Sequence, residues 1–399
     1  MNLLLFTNLF PTPVDPERGV FTLQIAKQFN QHCNLTVVCP LPYFPGWSIF
    51  KRYRKWHELS QVPQQYQIAS ITVYSPKYLL LPKISERFHD WLMALSIKRF
   101  MHNLHAQKKF DVINSKWLYP DACVIDRIFR DNGIPHVTAG LGSDINYQFK
   151  IPAKRQKILA MLARADACIT VSASLKDVLV ADGANAEKIH VVHNGVDTSQ
   201  FSPGDRQQSR TLLQLDQHKK IIVFVGRLSE EKGIPTLIHA MDKLTLTFKL
   251  DMPHLYLIGE GPMRATLTDL IATMQLAQHI TLLGKVAHSD VSKWLAACNV
   301  FCLPSFNEGC PNVVLEALGS GRPVVASRVG AIPDIVNADS GILFEAGNVQ
   351  QLSEALTKAI NTDWDVQKIV NTIEKMSWSE TASRYLDLFQ QAIDKRKRE

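Results

Sequence analysis

No stretch of this chain reaches the roughly 18 consecutive apolar residues that a membrane-spanning helix needs. None of its seven cysteines (Cys33, Cys39, Cys123, Cys168, Cys298, Cys302 and Cys310) falls in a C-x-x-C pair. An odd count without framework spacing argues against a disulfide-stapled domain and for a reducing compartment, with the cysteines as small buried hydrophobes. The thirteen histidines do not cluster at metal-ligand spacing, and no D-x-D follows a strand. The first strand is not followed by G-x-G-x-x-G, and "GEGP" at Gly259–Pro262 lacks the full fingerprint, so a nicotinamide dehydrogenase finds no support. The opening "MNLLLFTNLFPTP" has neither a basic n-region nor a small-residue cleavage site. It reads as a first buried strand. Low-complexity tracts and short repeats are missing too.

What is present fits two ordinary domains. The 399 residues are 46% hydrophobic and 20% charged, a globular profile. The charge is lopsided. Residues 1–195 carry 23 Lys+Arg against 14 Asp+Glu, while residues 196–399 carry 21 against 23. An anionic partner is expected for the basic half. Short β-branched runs such as "LTVVC", "ACITV", "KIIVFVG", "HLYLIG" and "NVFCLP" alternate with amphipathic helical patterns along the whole length. That alternation predicts parallel sheets covered on both faces, an α/β doubly wound (Rossmann-like) architecture repeated twice. The polar, Gly- and Pro-containing "HNGVDTSQFSPGDRQQS" marks the boundary. The expected organisation is a domain over 1–195, a second over 196–375, and a helix with the basic tail "DKRKRE" over 376–399 that packs back toward the first. Ligands of such sheets bind outside the carboxyl ends of the strands, so a cleft between two facing sheets is the expected site.

Two motifs in the second half carry chemistry. In "FNEGCPNVVLEALGSGRPVVAS", Glu308 sits among turn residues and Glu316 sits inside a helical run that Pro311 can start and Gly and Pro can end. A carboxylate before a helix N-terminus and another along it can flank a phosphorylated ligand, each accepting hydroxyl donors. The plainer alternative is a helix-terminal charge and a solvated face residue, but the apolar neighbours of Glu316 are poor company for a solvated face. In "FVGRLSEEKGIPTLIHAM" a buried strand ends at Gly226, and Arg227 and Lys232 follow. Two cations there can neutralise a diphosphate without a metal; an ordinary basic loop is the alternative.

"GRLSEEKG", "LIGEGPMR", "LLGKV", the E-x7-E segment and "GILF", in this order and spacing, resemble the retaining family-4 glycosyltransferases of the GT-B fold. The first half is similar more loosely, through "PTPVDPERGVF", "GLGSDIN", "DACITVS" and "VVHNGVD". The pieces together resemble bacterial enzymes of capsule, exopolysaccharide or teichuronic-type polymer synthesis. The resemblance implies that Arg227 and Lys232 bind the donor diphosphate and that Glu316 binds the ribose hydroxyls. It implies that Glu308 binds the transferred sugar and stabilises positive charge at its anomeric carbon. Backbone N–H groups after Gly309, at Cys310, Asn312 and Val313, would hold sugar hydroxyls or phosphate, and Gly284, Lys285 and Val286 would line the base pocket. Gly19 would let the first-domain loop approach the donor, and Asp144 would face the sugar from that domain as a catalytic group. Two departures stand out. Leu141 occupies the place where many relatives have a histidine, and the first loop has one glycine where many have two.

The implied reaction moves a hexose or N-acetylhexosamine from a nucleotide-diphosphate sugar to a hydroxyl of a glycan or lipid-linked glycan, with retention. No cofactor, metal ion or dedicated base is expected, and no nucleic-acid partner. The basic-aromatic segment "PYFPGWSIFKRYRKWHEL" fits peripheral contact with an anionic membrane, and equally a loop packed on its own domain. The expected location is cytoplasmic, on the inner face of the plasma membrane when peripheral. The rival readings are a sugar-nucleotide epimerase or a phosphorylase of similar two-domain form, and a catalytically silent subunit that binds a sugar nucleotide.

Overall fold

A computed structural model describes residues 1–44, 54–80 and 88–398. The chain forms two compact units, Met1–His193 with Trp378–Glu399, and Asn194–Ser377. The basic-aromatic segment lies largely outside the described residues, as do the side chains of residues 54–56.

Unit 1 is built on β1 (Asn2–Phe6), β2 (Asn34–Val38), β3 (Leu41–Tyr43), β4 (Gln65–Ile68), β5 (Ile71–Tyr74), β6 (Lys77–Leu79), β7 (Val112–Lys116), β8 (His136–Gly140), β9 (Ala167–Thr170) and β10 (Ile189–Val191). Eight of these form a sheet in the order β10-β9-β8-β7-β1-β2-β5-β4, and β3 pairs with β6 apart from it. All neighbours in the large sheet run parallel except β4 and β5. Strands such as "VINSK" and "HVTAG" are buried at every position, as a parallel sheet covered on both faces requires.

The helix Trp378–Arg398 closes one face of that sheet. Its buried residues Trp378, Thr381, Ala382, Tyr385, Leu388, Phe389, Ala392 and Ile393 recur at three- and four-residue spacing, one stripe of a helix. All of them except Thr381 pack in one cluster with Leu3, Phe29, Val112, Val137 and Ile169. Phe29 meets Tyr385 and Phe389 with ring centroids 5.8 and 5.6 Å apart. The tail is helical, and Arg396 Nε donates to Asp166 Oδ1 at 2.8 Å. On the other face, Asp90 is 1% exposed and is neutralised by Lys157 and Arg127, while Arg164 pairs with Asp126. Much of the positive charge of the helix Pro152–Arg164 therefore serves internal ion pairs.

Unit 2 contains β11 (Ile221–Val225), β12 (His254–Ile258), β13 (Ile280–Gly284), β14 (Val300–Leu303), β15 (Val324–Ser327) and β16 (Gly341–Phe344). They form one parallel sheet in the order β13-β12-β11-β14-β15-β16. In order of appearance this is 3-2-1-4-5-6, the Rossmann arrangement, and the strand direction of travel reverses between β11 and β14. The crevice at that switch point, outside the carboxyl ends of the strands, is where such sheets hold ligands.

Candidate active site at the switch point of unit 2

The residues after β11 and β14 converge at this point. Lys232 follows β11 and Glu308 follows β14, 76 positions apart in sequence. Lys232 Nζ donates to Glu308 Oε1 at 2.6 Å. Ser305 Oγ donates to the same oxygen at 2.6 Å and is itself fully buried. Ser327, at the end of β15, donates to the Ser305 carbonyl and so fixes the turn from below. Arg227 lies exposed at the mouth of the same loop. Glu231 is held ionised by a bond from Ser229, burial opposing, with the Arg227 charge assisting. The resemblance gives Lys232 to the diphosphate and Glu308 to the transferred sugar; here the two side chains form one ion pair. Ser305 was missed, and its spacing of three before Glu308 in "SFNE" was the available signal.

Backbone geometry sets this pocket. Gly233 caps the helix Ile234–Phe248 at φ +60°, and a Cβ there would lie 2.1 Å from the Pro304 carbonyl. Only glycine lets the β11 and β14 loops close to this distance. Gly309 accepts from the Ala331 N–H at 2.8 Å. The helix Asn312–Gly319 starts behind Pro311, so the N–H groups of Asn312 and Val313 have no carbonyl of their own helix to bond. Asn194 Nδ2 donates to the Cys310 carbonyl (3.1 Å) and to Asn312 Oδ1 (2.8 Å), anchoring the start of that helix.

Glu316 lies on the same helix with its side chain 11% exposed. Burial pushes its carboxyl up to about 8. His288 Nε2 is 3.7 Å from Oε1, and the His288 ring packs against Phe201 at 5.5 Å between centroids. Neither His288 nor Phe201 was singled out from the sequence. Gly284 ends β13 at φ +82° and accepts from the Gly259 N–H at 2.8 Å; Lys285 is exposed and Val286 half-buried beyond it.

In unit 1 the comparable switch point lies between β1 and β7. Gly19, at φ +63°, tucks against the Leu9 carbonyl, where a Cβ would lie at 2.4 Å. Asp121, unread from the sequence, is fully buried and accepts from the Asn8 N–H at 2.8 Å, while Arg18 donates to the Asn8 carbonyl. Asp144 corrects an expectation. It is not a carboxylate facing a sugar but a fully buried one whose oxygens accept from the N–H groups of Leu118 (2.8 Å), Leu141 (3.0 Å) and Gly142 (2.9 Å). Burial pushes its carboxyl up and those three donors pull it back. Its work is to fasten the loop after β8 to the turn after β7.

The described residues contain no cluster of three His, Cys, Asp or Glu side chains placed to hold a metal ion. No described helix is long and apolar enough to cross a membrane.

Comparison with known proteins agrees with this layout. Residues 205–376 match the family model "Glycosyl transferases group 1", and residues 19–200 match "Glycosyltransferase Family 4". A Bacillus subtilis (strain 168) protein, TuaC, whose name assigns it to teichuronic acid biosynthesis as a glycosyltransferase, is 28% identical over 368 residues, covering 90% of this chain and 89% of its own. The sulfoquinovosyl transferase SQD2 of Arabidopsis thaliana is 32% identical over 234 residues, 55% of this chain and 44% of its own. Among solved structures, a sucrose-phosphate synthase from Thermosynechococcus elongatus superposes with TM-score 0.78 at 17% identity, covering 99% of this chain and 100% of the other. The Anabaena protein HepE in complex with UDP superposes with TM-score 0.74 at 18% identity, covering 98% and 100%. At these identities the superpositions speak to fold, and the fold is GT-B. With both halves matched by glycosyltransferase models, the chain belongs to the family-4 glycosyltransferases.

Proposed function

We propose that this enzyme transfers a hexose or N-acetylhexosamine, with retention, from a nucleotide-diphosphate sugar to a hydroxyl of a glycan or lipid-linked glycan in cell-surface polysaccharide synthesis. The observation that carries the reading is the Lys232–Glu308–Ser305 cluster at the unit-2 switch point, with Glu316 one and a half turns further along the helix that follows. The diphosphate lies against Arg227, Lys232 and the free N–H groups at the start of the helix Asn312–Gly319. The ribose hydroxyls donate to Glu316 in its ionised form. Glu308, fixed by Ser305 and Lys232, holds the sugar hydroxyls and balances positive charge at the anomeric carbon.

The bond between the anomeric carbon and the diphosphate oxygen breaks, and its electron pair stays on the diphosphate. Fixed cations stabilise that charge, which is electrostatic preorganisation. The acceptor hydroxyl attacks the same face, and its proton passes to the departing phosphate oxygen. No metal ion is needed for leaving-group assistance, since two side-chain cations supply it. The similarity to a protein named for teichuronic acid biosynthesis supports a polymer acceptor, and the UDP-bound neighbour supports a uridine donor. In this reading the enzyme works in the cytoplasm, in peripheral contact with the inner face of the plasma membrane, where a lipid-linked acceptor would lie.

The test is transfer from a panel of uridine and guanosine diphosphate sugars in excess chelator, with the anomeric configuration of the product read by NMR. Retained configuration at an undiminished rate is expected. An inverted product, or an absolute requirement for magnesium, overturns the reading.

A further inference from the structure

At the opposite end of β11 lies a second concentration of positive charge that the proposed transfer does not use. Arg206 and Arg210 share one face of the helix Arg206–Leu212, and Arg322 precedes β15. Arg210 is 3% exposed and Arg322 4%. Arg210 donates to the carbonyls of Ala297 (3.0 Å), Gln217 (2.7 Å) and Asp216 (3.3 Å) and to Asn299 Oδ1 (2.8 Å). Arg322 donates to the Gly204 carbonyl at 3.0 Å. Every one of these acceptors is neutral.

Among the described residues no carboxylate forms an ion pair with Arg206, Arg210 or Arg322. The nearby acids are turned elsewhere. Asp205 accepts from the N–H groups of Gln207 and Gln208, and Asp216 from those of His218 and Lys219. The Nε atoms of Arg206 and Arg322 are buried with no partner at all. Burial pushes Arg210 below its usual range, and the charge of Arg206 pushes it further. Buried charges are ordinarily paired, and the Asp216 charge that acts on Arg210 is exposed and forms no ion pair with it, so the cluster is short of counter-charge.

A pocket of about 330 Å³ opens beside this cluster, lined by Arg206, Arg210, His218, Lys219, Lys220 and Asn299. Lys220 precedes β11 and Arg227 follows it. At about 3.3 Å per residue, the pocket is on the order of 20 Å from the Lys232–Glu308 pair.

We propose that this pocket binds a phosphate-bearing small anion, either a phosphorylated monosaccharide or inorganic phosphate. Arg210 keeps at most one N–H after its bonds to the protein, so Arg206, Lys219 and Lys220 supply most of the charge-assisted donors to phosphate oxygens. The four permanent cations lining the pocket exceed what one carboxylate would neutralise. The volume lies at the low end of the range for small-molecule pockets, roughly 300–1,000 Å³, which suits a sugar phosphate better than a whole sugar nucleotide. If the arginines served only to pin the helix Arg206–Leu212 to the sheet, no saturable anion site would exist.

The experiment uses the full chain carrying Lys232→Gln, so that phosphate binding at the switch point is weakened. Inorganic phosphate and glucose 6-phosphate are titrated calorimetrically and by thermal shift, at constant ionic strength in chloride. One saturable site and a raised melting temperature are expected for at least one of the two ligands. The double variant Arg206→Gln/Lys219→Gln should bind about tenfold more weakly or worse, and Lys219→Gln/Lys220→Gln, which keeps every arginine, should be weakened as well. Tighter binding of glucose 6-phosphate identifies a sugar phosphate as the ligand, and equal binding identifies phosphate itself. Absence of saturable binding of either, or affinity unchanged in both double variants, overturns the proposal. Donor binding by the unsubstituted chain is measured separately, so failure here leaves the transferase reading standing.

Discussion

Replacing Glu316 by glutamine should stabilise the protein while weakening the nucleotide site, and the stabilisation should grow with pH. Burial pushes this carboxyl from an ordinary 4.5 to about 8. Between those values the folded chain keeps the proton and the unfolded chain has released it. The unfolded state therefore binds fewer protons, and the stability of the wild type falls as pH rises across that interval. At about 1.4 kcal/mol per pH unit, the span from pH 5 to 8 sets a ceiling of about 4 kcal/mol. The 11% exposure of the side chain and the His288 ring at 3.7 Å let part of that charge be accommodated. About 2 kcal/mol is the expected gain of Glu316→Gln over wild type on going from pH 5 to 8, or roughly 4–8 °C in the melting of a unit this size. The assay is thermal and urea denaturation of both proteins under reducing conditions from pH 5 to 8. Comparing the two at each pH cancels every other titrating group. UDP affinity should move in the opposite sense: rising toward pH 8 in the wild type, as the carboxyl ionises and can accept ribose hydroxyls, and staying low and flat in the variant. A stability gap that does not change with pH would refute the argument.

Glu308→Gln should keep donor binding within a few-fold yet lower turnover on the order of 10²-fold, read as a loss in kcat with little change in KM. Asp144→Asn should cost about 2–3 kcal/mol in urea denaturation, because an amide cannot accept from three backbone donors as a carboxylate does. Gly233→Ala should destabilise unit 2 by more than about 1 kcal/mol, since φ +60° and the Pro304 carbonyl both oppose a side chain there.

Much of the fold was legible because the parallel strands are short β-branched runs bounded by turn residues. β2, β9, β11, β12 and β14 fall within a residue or two of the runs "LTVVC", "ACITV", "KIIVFVG", "HLYLIG" and "NVFCLP". The short strands β3, β4 and β6 were not read. Three- and four-residue strands such as "LPY" and "QYQI" carry too little alternation to separate from loop. At the site, Glu308 and Glu316 were legible because one follows a strand and the other interrupts an apolar helix. The Lys232–Glu308 contact was not, since nothing local links residues 76 apart. The role that the resemblance implies for Asp144 had no local check, because an aspartate two residues after a glycine looks the same whether its oxygens meet a ligand or three amide hydrogens.

The helix Trp378–Arg398 has a consequence for biosynthesis. Unit 1 takes one wall from a segment that follows unit 2 in the chain, so that wall is missing until Trp378–Arg398 has left the ribosome. Domains ordinarily mature in the order of translation, but here the second half can finish first while Leu3, Phe29 and Val137 wait uncovered for Tyr385 and Phe389. A nonsense codon between Ser377 and Tyr385 would leave unit 2 intact and the sheet of unit 1 uncovered on that face, so such truncations should appear in cells as chaperone-bound or aggregated chains.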